Sequence, residues 1–301
     1  MDYKKHVYTG IRAAESTLNS RIESNDFNYF YDCIDGFLDK NEERFFETFE
    51  EFGMQFENEY HISEIIQKIF YLRSEQGIVA FYKQSDIENF AAVVDAYYWL
   101  NLAFIKGYKA NREIKGEFFQ DVVFAALLAY CFYPHAVAAT LDYLIADYNQ
   151  SFKDEKERVP PQKRKYDKYY SFADVFQLLK VFLRTAGNDA FDFMIDVTIE
   201  ERYQFAINHY LSEDPHVVNE VLERLAEFRV DNIGESYLDT FNHDCWKVFP
   251  LEMLSILICR KRNGLSNRGI SHPLIAAFAP FIHEPAFFPV DELTKKLASH
   301  I

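Results

Sequence analysis

QSDIENFAAVVDAYYWLNLAFIKGY, residues 84–108, opens with Ser85 and Glu88 in the spacing of a capping box. A side-chain oxygen at the first position and a glutamate three residues later satisfy backbone N–H groups that a new helix leaves without partners. The stretch is therefore expected to begin a helix, with Ser85 as its cap. The same period runs on either side of it. In ISEIIQKIFYLRSEQGIVAFY (62–82), Ile62, Ile65, Ile66, Ile69 and Phe70 or Leu72 follow the three- and four-residue steps of one helix face. In ERFFETFEEFGMQF (43–56), Phe45, Phe49, Phe52 and Phe56 recur at spacings of four, three and four. That predicts a helix with one apolar stripe and Glu47, Glu50 and Glu51 off it. Downstream, DPHVVNEVLERLAEF (214–228) offers Asp214 as N-cap and Pro215 at the first helical position, with Val218, Val221, Leu222, Leu225 and Phe228 as the buried face.

Strand patterns are sparse. DFMIDVTI (192–199) is compatible with a short strand, but its Asp192 to Asp196 spacing suits a helix equally. Gly and Pro together number 19 in 301 residues, too few for a turn-rich β-sandwich. The expectation is an all-α protein of about a dozen helices in helical hairpins. The mixed-charge segment 151–170, with Pro160-Pro161, reads as a linker between an acidic N-terminal half (1–150) and a C-terminal half (171–301), the two packed into one body.

Residues 122–141 carry no formal charge over a span that matches a bilayer. Tyr133-Pro134 and His135 interrupt it, and the flanking Asp121 and Asp142 are acidic, so two buried helices meeting at the proline are expected instead. No apolar leader opens the chain, and the four cysteines (33, 131, 245, 259) form no CxxC pair. A cytoplasmic protein with reduced, mostly buried thiols is expected.

Net charge is −15, and residues 21–60 alone hold 12 acids against 3 bases. Such a chain is repelled by nucleic-acid phosphates and anionic lipid and attracted to basic surfaces. The basic, tyrosine-containing run 162–170 is diluted by neighbouring acids and reads as solvated linker. Glu42, Glu43, Glu47, Glu50, Glu51, Glu57 and Glu59, with Phe46 as an aromatic anchor, are the candidate partner-binding residues. The plainer reading of the same stretch is a solvated face.

Motifs for chemistry are missing. There is no GxGxxG, Walker A, GxSxG, HExxH or Cys/His ladder, and no catalytic residue, metal ligand or cofactor is expected. FNHDC (241–245) sets His243, Asp244 and Cys245 in a row. On a helix, positions two apart point about 200° from each other, so the histidine would not reach the thiol. Asp244 would also oppose a thiolate. A buried Cys245 and Trp246 at a helix entrance is the expected role.

The design, all-helical, acidic and rich in aromatics, resembles the large immunity proteins that bacteria pair with secreted antibacterial toxins of polymorphic-toxin and type VI secretion systems. The detailed part of the resemblance is CWKVFPLEMLSILICRKRNGL (245–265) followed by HPL (272–274), about the last quarter of the chain. It implies a stoichiometric inhibitor, without cofactor or catalysis, that binds one cognate protein toxin and blocks or distorts its active site. Many such toxins are nucleases with basic grooves, which an acidic surface would complement. Two other readings are a helical adaptor with no toxin partner, and an enzyme with a pocket between the helical halves that uses His243, Asp244 and Cys245.

Overall fold

A computed structural model describes residues 2–24, 27–110, 119–147, 171–189, 199–234, 240–241, 243–282 and 291–301. The 151–170 linker, the basic run within it and nearly all of 192–199 lie outside these residues. Twelve α-helices are present among them, in agreement with the expected class. The first two are α1 (Tyr3–Ser24) and α2 (Phe27–Lys40). After a strand pair come α3 (Ile62–Lys83), α4 (Ile87–Lys109), α5 (Phe119–Phe132), α6 (Val137–Asp147) and α7 (Ser171–Thr185). The remainder are α8 (Glu201–His209), α9 (Pro215–Asp231), α10 (Asp244–Val248), α11 (Leu251–Arg262) and α12 (Glu292–His300). One hydrophobic core runs from Tyr3 to Leu297 and draws on both halves of the chain, so the helices form a single body.

Helix α4 lies at the centre, and Phe90, Val94, Tyr97, Trp99 and Leu100 on it are fully or almost fully buried. Its cap differs from the expected one by a residue. Asp86 is the N-cap, its carboxylate accepting the N–H of Asn89 at 2.8 Å. Ser85 instead donates to the Phe81 carbonyl in the last turn of α3, so the two residues divide the work of ending one helix and starting the next. Asp214 and Pro215 take the positions expected of them at the start of α9, and its five predicted core residues are buried. The uncharged run 122–141 is α5, a 3-10 turn at Pro134–Ala136 and the first part of α6. No helix among the described residues is long and apolar enough to cross a membrane.

Helices α3 and α4 are the most extensively packed pair, and Gly77 permits their approach. A Cβ at Gly77 would stand 3.3 Å from Val93 Cα and 3.4 Å from its nitrogen, backbone atoms that cannot rotate away. By helix propensity alone, replacing a mid-helix glycine should stabilise by about 1 kcal/mol. At this site Gly77→Leu is expected instead to cost about 1–3 kcal/mol through overpacking. A lower urea midpoint is the expected result, and a raised one would show that the helices can part freely.

The segment 42–60 corrects the helical expectation. Arg44–Glu51 (β1) and Met54–His61 (β2) form an antiparallel two-stranded sheet in which Phe49 lies opposite Phe56 and Phe46 opposite Glu59. The turn is Phe52-Gly53, both with positive φ (53° and 72°), which is the requirement of a two-residue type I′ hairpin. The four-residue spacings misled because four is a multiple of two, so Phe45 and Phe49 share a face of a strand as readily as of a helix. The three-residue step from Phe49 to Phe52 is the entry to the turn. Tertiary packing decides for the strand: Phe45 lies against the small surface left by Gly36 of α2, and Tyr60 sits edge-on to Phe30. His61 then ends β2 and caps α3, its Nδ1 accepting the Ser63 N–H while Glu64 accepts the His61 N–H.

Candidate functional site

The hairpin carries a concentration of exposed apolar surface. Phe46 (55% exposed), Phe52 (87%), Met54 (56%) and Phe56 (38%) are half of the large hydrophobic residues that lie exposed among the described residues. The other four are scattered along α1 and α4. Among the described residues the hairpin is anchored on the core at its base, through Phe45 and Tyr60. Phe49 and Phe56 stack on each other at 5.5 Å, out beyond that anchor. An exposed phenylalanine in the left-handed region, as at Phe52, buries no surface and costs backbone energy.

Six of the eight candidate binding residues lie on the two strands of this hairpin and not on the charged face of one helix. Phe46, Glu50, Glu57 and Glu59 share one face of the sheet, while Glu47 and Glu51 occupy the other. Glu42 and Glu43 precede β1. Their chemistry differs. Lys106 bonds Glu43 at 2.6 Å and holds its carboxyl below the usual range, with His61 beyond it. Glu47 accepts from the Tyr60 hydroxyl at 3.0 Å, and burial first, then this carboxylate, raises the tyrosine. Arg44 pairs with Glu59 at 2.9 Å, and Lys40 lies 3.7 Å from Glu42. Glu50, Glu51 and Glu57 have no ion pair among the described residues and point their charge to solvent. Sequence reasoning missed Phe52, Met54 and the second role of Phe56. The signal was Gly53, placed where only a tight turn needs it.

His243, Asp244 and Cys245 lie elsewhere, where α10 meets α1 and α3 and Trp246 reaches Asp121 of α5. His243 is the residue before α10, 3.7 Å from the fully buried Asp121, with its ring 5.0 Å from that of Tyr71. Asp121 accepts the Trp246 indole N–H at 2.6 Å, and its burial raises it above an ordinary aspartate. Asp244 accepts from Thr17 and Lys247 at 2.8 and 2.9 Å. Cys245 is buried, and its carbonyl accepts from Tyr97. Burial, then Asp121, Glu75 and Asp244, push its thiol well above the usual range. His243 and Cys245 thus share Asp121 as a neighbour, and burial together with the surrounding carboxylates opposes a thiolate at Cys245. All four cysteines are buried and unpaired.

A second acidic surface is a cleft of about 500 Å³ between α8 and α9, lined by Glu200, Glu201, Glu220, Glu223 and Glu227. Here the charge is largely spent internally. Arg202 bonds Glu200 and Asp231, Arg224 bonds Glu220, and Glu223 accepts from Tyr3 and contacts His272. Comparison of the chain with protein-family models, with curated proteins and with solved structures returned no match.

Proposed function

We propose that this protein is an immunity-type inhibitor that neutralises a cognate secreted toxin by stoichiometric binding, with the 42–60 hairpin as its recognition element. The observation that carries the reading is the hairpin itself. It places exposed Phe46, Phe52, Met54 and Phe56 among solvent-directed Glu50, Glu51 and Glu57, on a body whose other apolar side chains are mostly committed to one core. Aromatic anchors within a field of one charge are the composition of a surface that finds and holds a basic partner. The resemblance of 245–265 to helical immunity proteins supplies the class of partner, a toxin with a basic groove. In this role the chain binds no nucleic acid or membrane and needs neither cofactor nor catalysis. Its place is the cytoplasm, where the buried thiols stay reduced.

Charge reversal tests it. Glu50→Lys, Glu51→Lys and Glu57→Lys together are expected to slow association with the toxin encoded by the adjacent gene by about 10-fold or more at low salt. The same triple variant should fail to protect cells that co-express that toxin. Stopped-flow association rates unchanged by the substitutions and by salt would remove the hairpin from the interface. An adjacent gene product that is harmless to unprotected cells would remove the toxin reading and leave a helical adaptor.

A further inference from the structure

We propose that the outer edge of β2 is a docking strand to which the partner adds an extended segment that alternates apolar with Lys or Arg residues. This rests on the reading of the hairpin as the recognition element and goes further by naming the mode of contact. The sheet has two strands only, so the outer edge of β2 has no strand partner among the described residues. In a hairpin closed by a two-residue turn, the pair flanking the turn is hydrogen-bonded. The register Glu51 opposite Met54 then directs the N–H and C=O of Gln55, Glu57 and Glu59 outward. Neither strand contains the proline, lysine or bulge with which proteins commonly blunt a free edge, and the ladder is unbroken over eight pairs.

The side chains of β2 say what fits. Met54 and Phe56 lie on one face, and Gln55, Glu57 and Glu59 on the other, all of them exposed. An added strand places successive side chains on alternate faces. Its apolar residues would cover Met54 and Phe56, and its basic residues would meet Glu57 and Glu59, the latter in competition with Arg44. A second copy of this chain is disfavoured as the occupant by charge, because an antiparallel β2–β2 pair centred on Glu57 sets glutamates beside glutamates. On β1, Phe45, Glu47 and Phe49 are half-buried, which leaves β2 as the more open edge.

The test uses the full chain and an alternating valine–lysine octapeptide, labelled for fluorescence anisotropy, beside its fully N-methylated analogue. The analogue keeps every charge and side chain but can donate no backbone hydrogen bond. Binding of the parent peptide about 10-fold or more tighter than the analogue is expected. Gln55→Pro should weaken the parent peptide comparably, since proline on a free edge removes an outward N–H without breaking a ladder bond. Equal binding of the two peptides to the wild-type chain, or no binding of either, overturns strand addition even if the proline variant unfolds. The two readings fail separately. Loss of toxin binding in the triple lysine variant with equal binding of both peptides leaves a docking hairpin without strand addition. Discrimination between the peptides with no effect of the triple variant on the toxin leaves a strand acceptor for another protein.

Discussion

Glu252→Ala is expected to cost about 3–5 kcal/mol of unfolding free energy, the range for removing one member of a buried ion pair. Arg229 of α9 and Glu252 of α11 are both almost fully buried and meet in a two-pronged contact, Nε to Oε1 at 2.8 Å and Nη2 to Oε2 at 2.6 Å. The remaining guanidinium N–H groups donate to the carbonyls of Trp246, Lys247 and Phe249, and the guanidinium lies 4.0 Å over Phe241. One side chain thus fastens the kinked passage from α10 through Pro250 into α11. With alanine at 252 the guanidinium stays buried with no counter-charge. Tryptophan emission should report the loss as a lowered urea midpoint, since Trp246 adjoins this contact. The double variant Arg229→Met/Glu252→Leu removes the stranded charge but takes the arginine donor from the carbonyls of Trp246 and Lys247 and leaves that of Phe249 with the Leu251 N–H, so it should regain only part of the loss. A cost below about 1 kcal/mol for Glu252→Ala would mean that water reaches the pair.

Glu75→Gln is expected to stabilise the protein in mild alkali and to leave it unchanged in acid. Glu75 is buried on α3, and burial pushes its carboxyl up to about 7 even though Arg21 lies 2.9 Å away. Asp174 of α7 is likewise raised to about 7 by burial, with the Glu200 N–H as its hydrogen-bond partner. A carboxyl raised on folding holds its proton in the native state after the unfolded chain has released it. Its contribution to stability is complete below the ordinary value of 4.5 for Glu75, declines as pH rises, and is lost above about 7. Glutamine copies the neutral form at every pH. Glu75→Gln should therefore exceed the wild type by on the order of 3 kcal/mol at pH 8 and match it near pH 4. His6 and His272 are lowered by burial and act in the opposite direction below their ordinary value of 6.5. They act on both proteins alike, so the difference between variant and wild type isolates Glu75. A pH-independent difference would show that water or Arg21 keeps Glu75 ionised throughout.

How far the fold could be read from the chain depended on where each helix's apolar face went. Val218 to Phe228 and Ile62 to Leu72 were legible because their apolar period coincides with the face that is buried. The hairpin was not, because Phe45, Phe49 and Phe56 satisfy two periods at once and only Gly53 marks the reversal. Of the candidate site, the acids were visible in the sequence as a concentration of charge, but the exposure of Phe52 and Met54 and the sorting of the acids onto two faces of a sheet were not. Nor could Glu252 be recognised as the partner of Arg229, since nothing local to either residue encodes a contact across 23 positions.

By itself the sequence determined the helical class, the burial of 122–133, the start of α9, the concentration of acid in 21–60 and the burial of Cys245 and Trp246 at a helix entrance. These follow from local period and local charge, which act over one or two turns of chain. Tertiary structure decided that 44–61 is a hairpin, that Phe52 stands at an exposed turn, and that Arg229 and Glu252 share a buried contact. Each of these depends on packing against residues distant in the chain, Gly36 and Phe30 for the hairpin and Trp246 to Phe249 for the arginine. Such packing outweighs local propensities of a few tenths of a kcal/mol per residue.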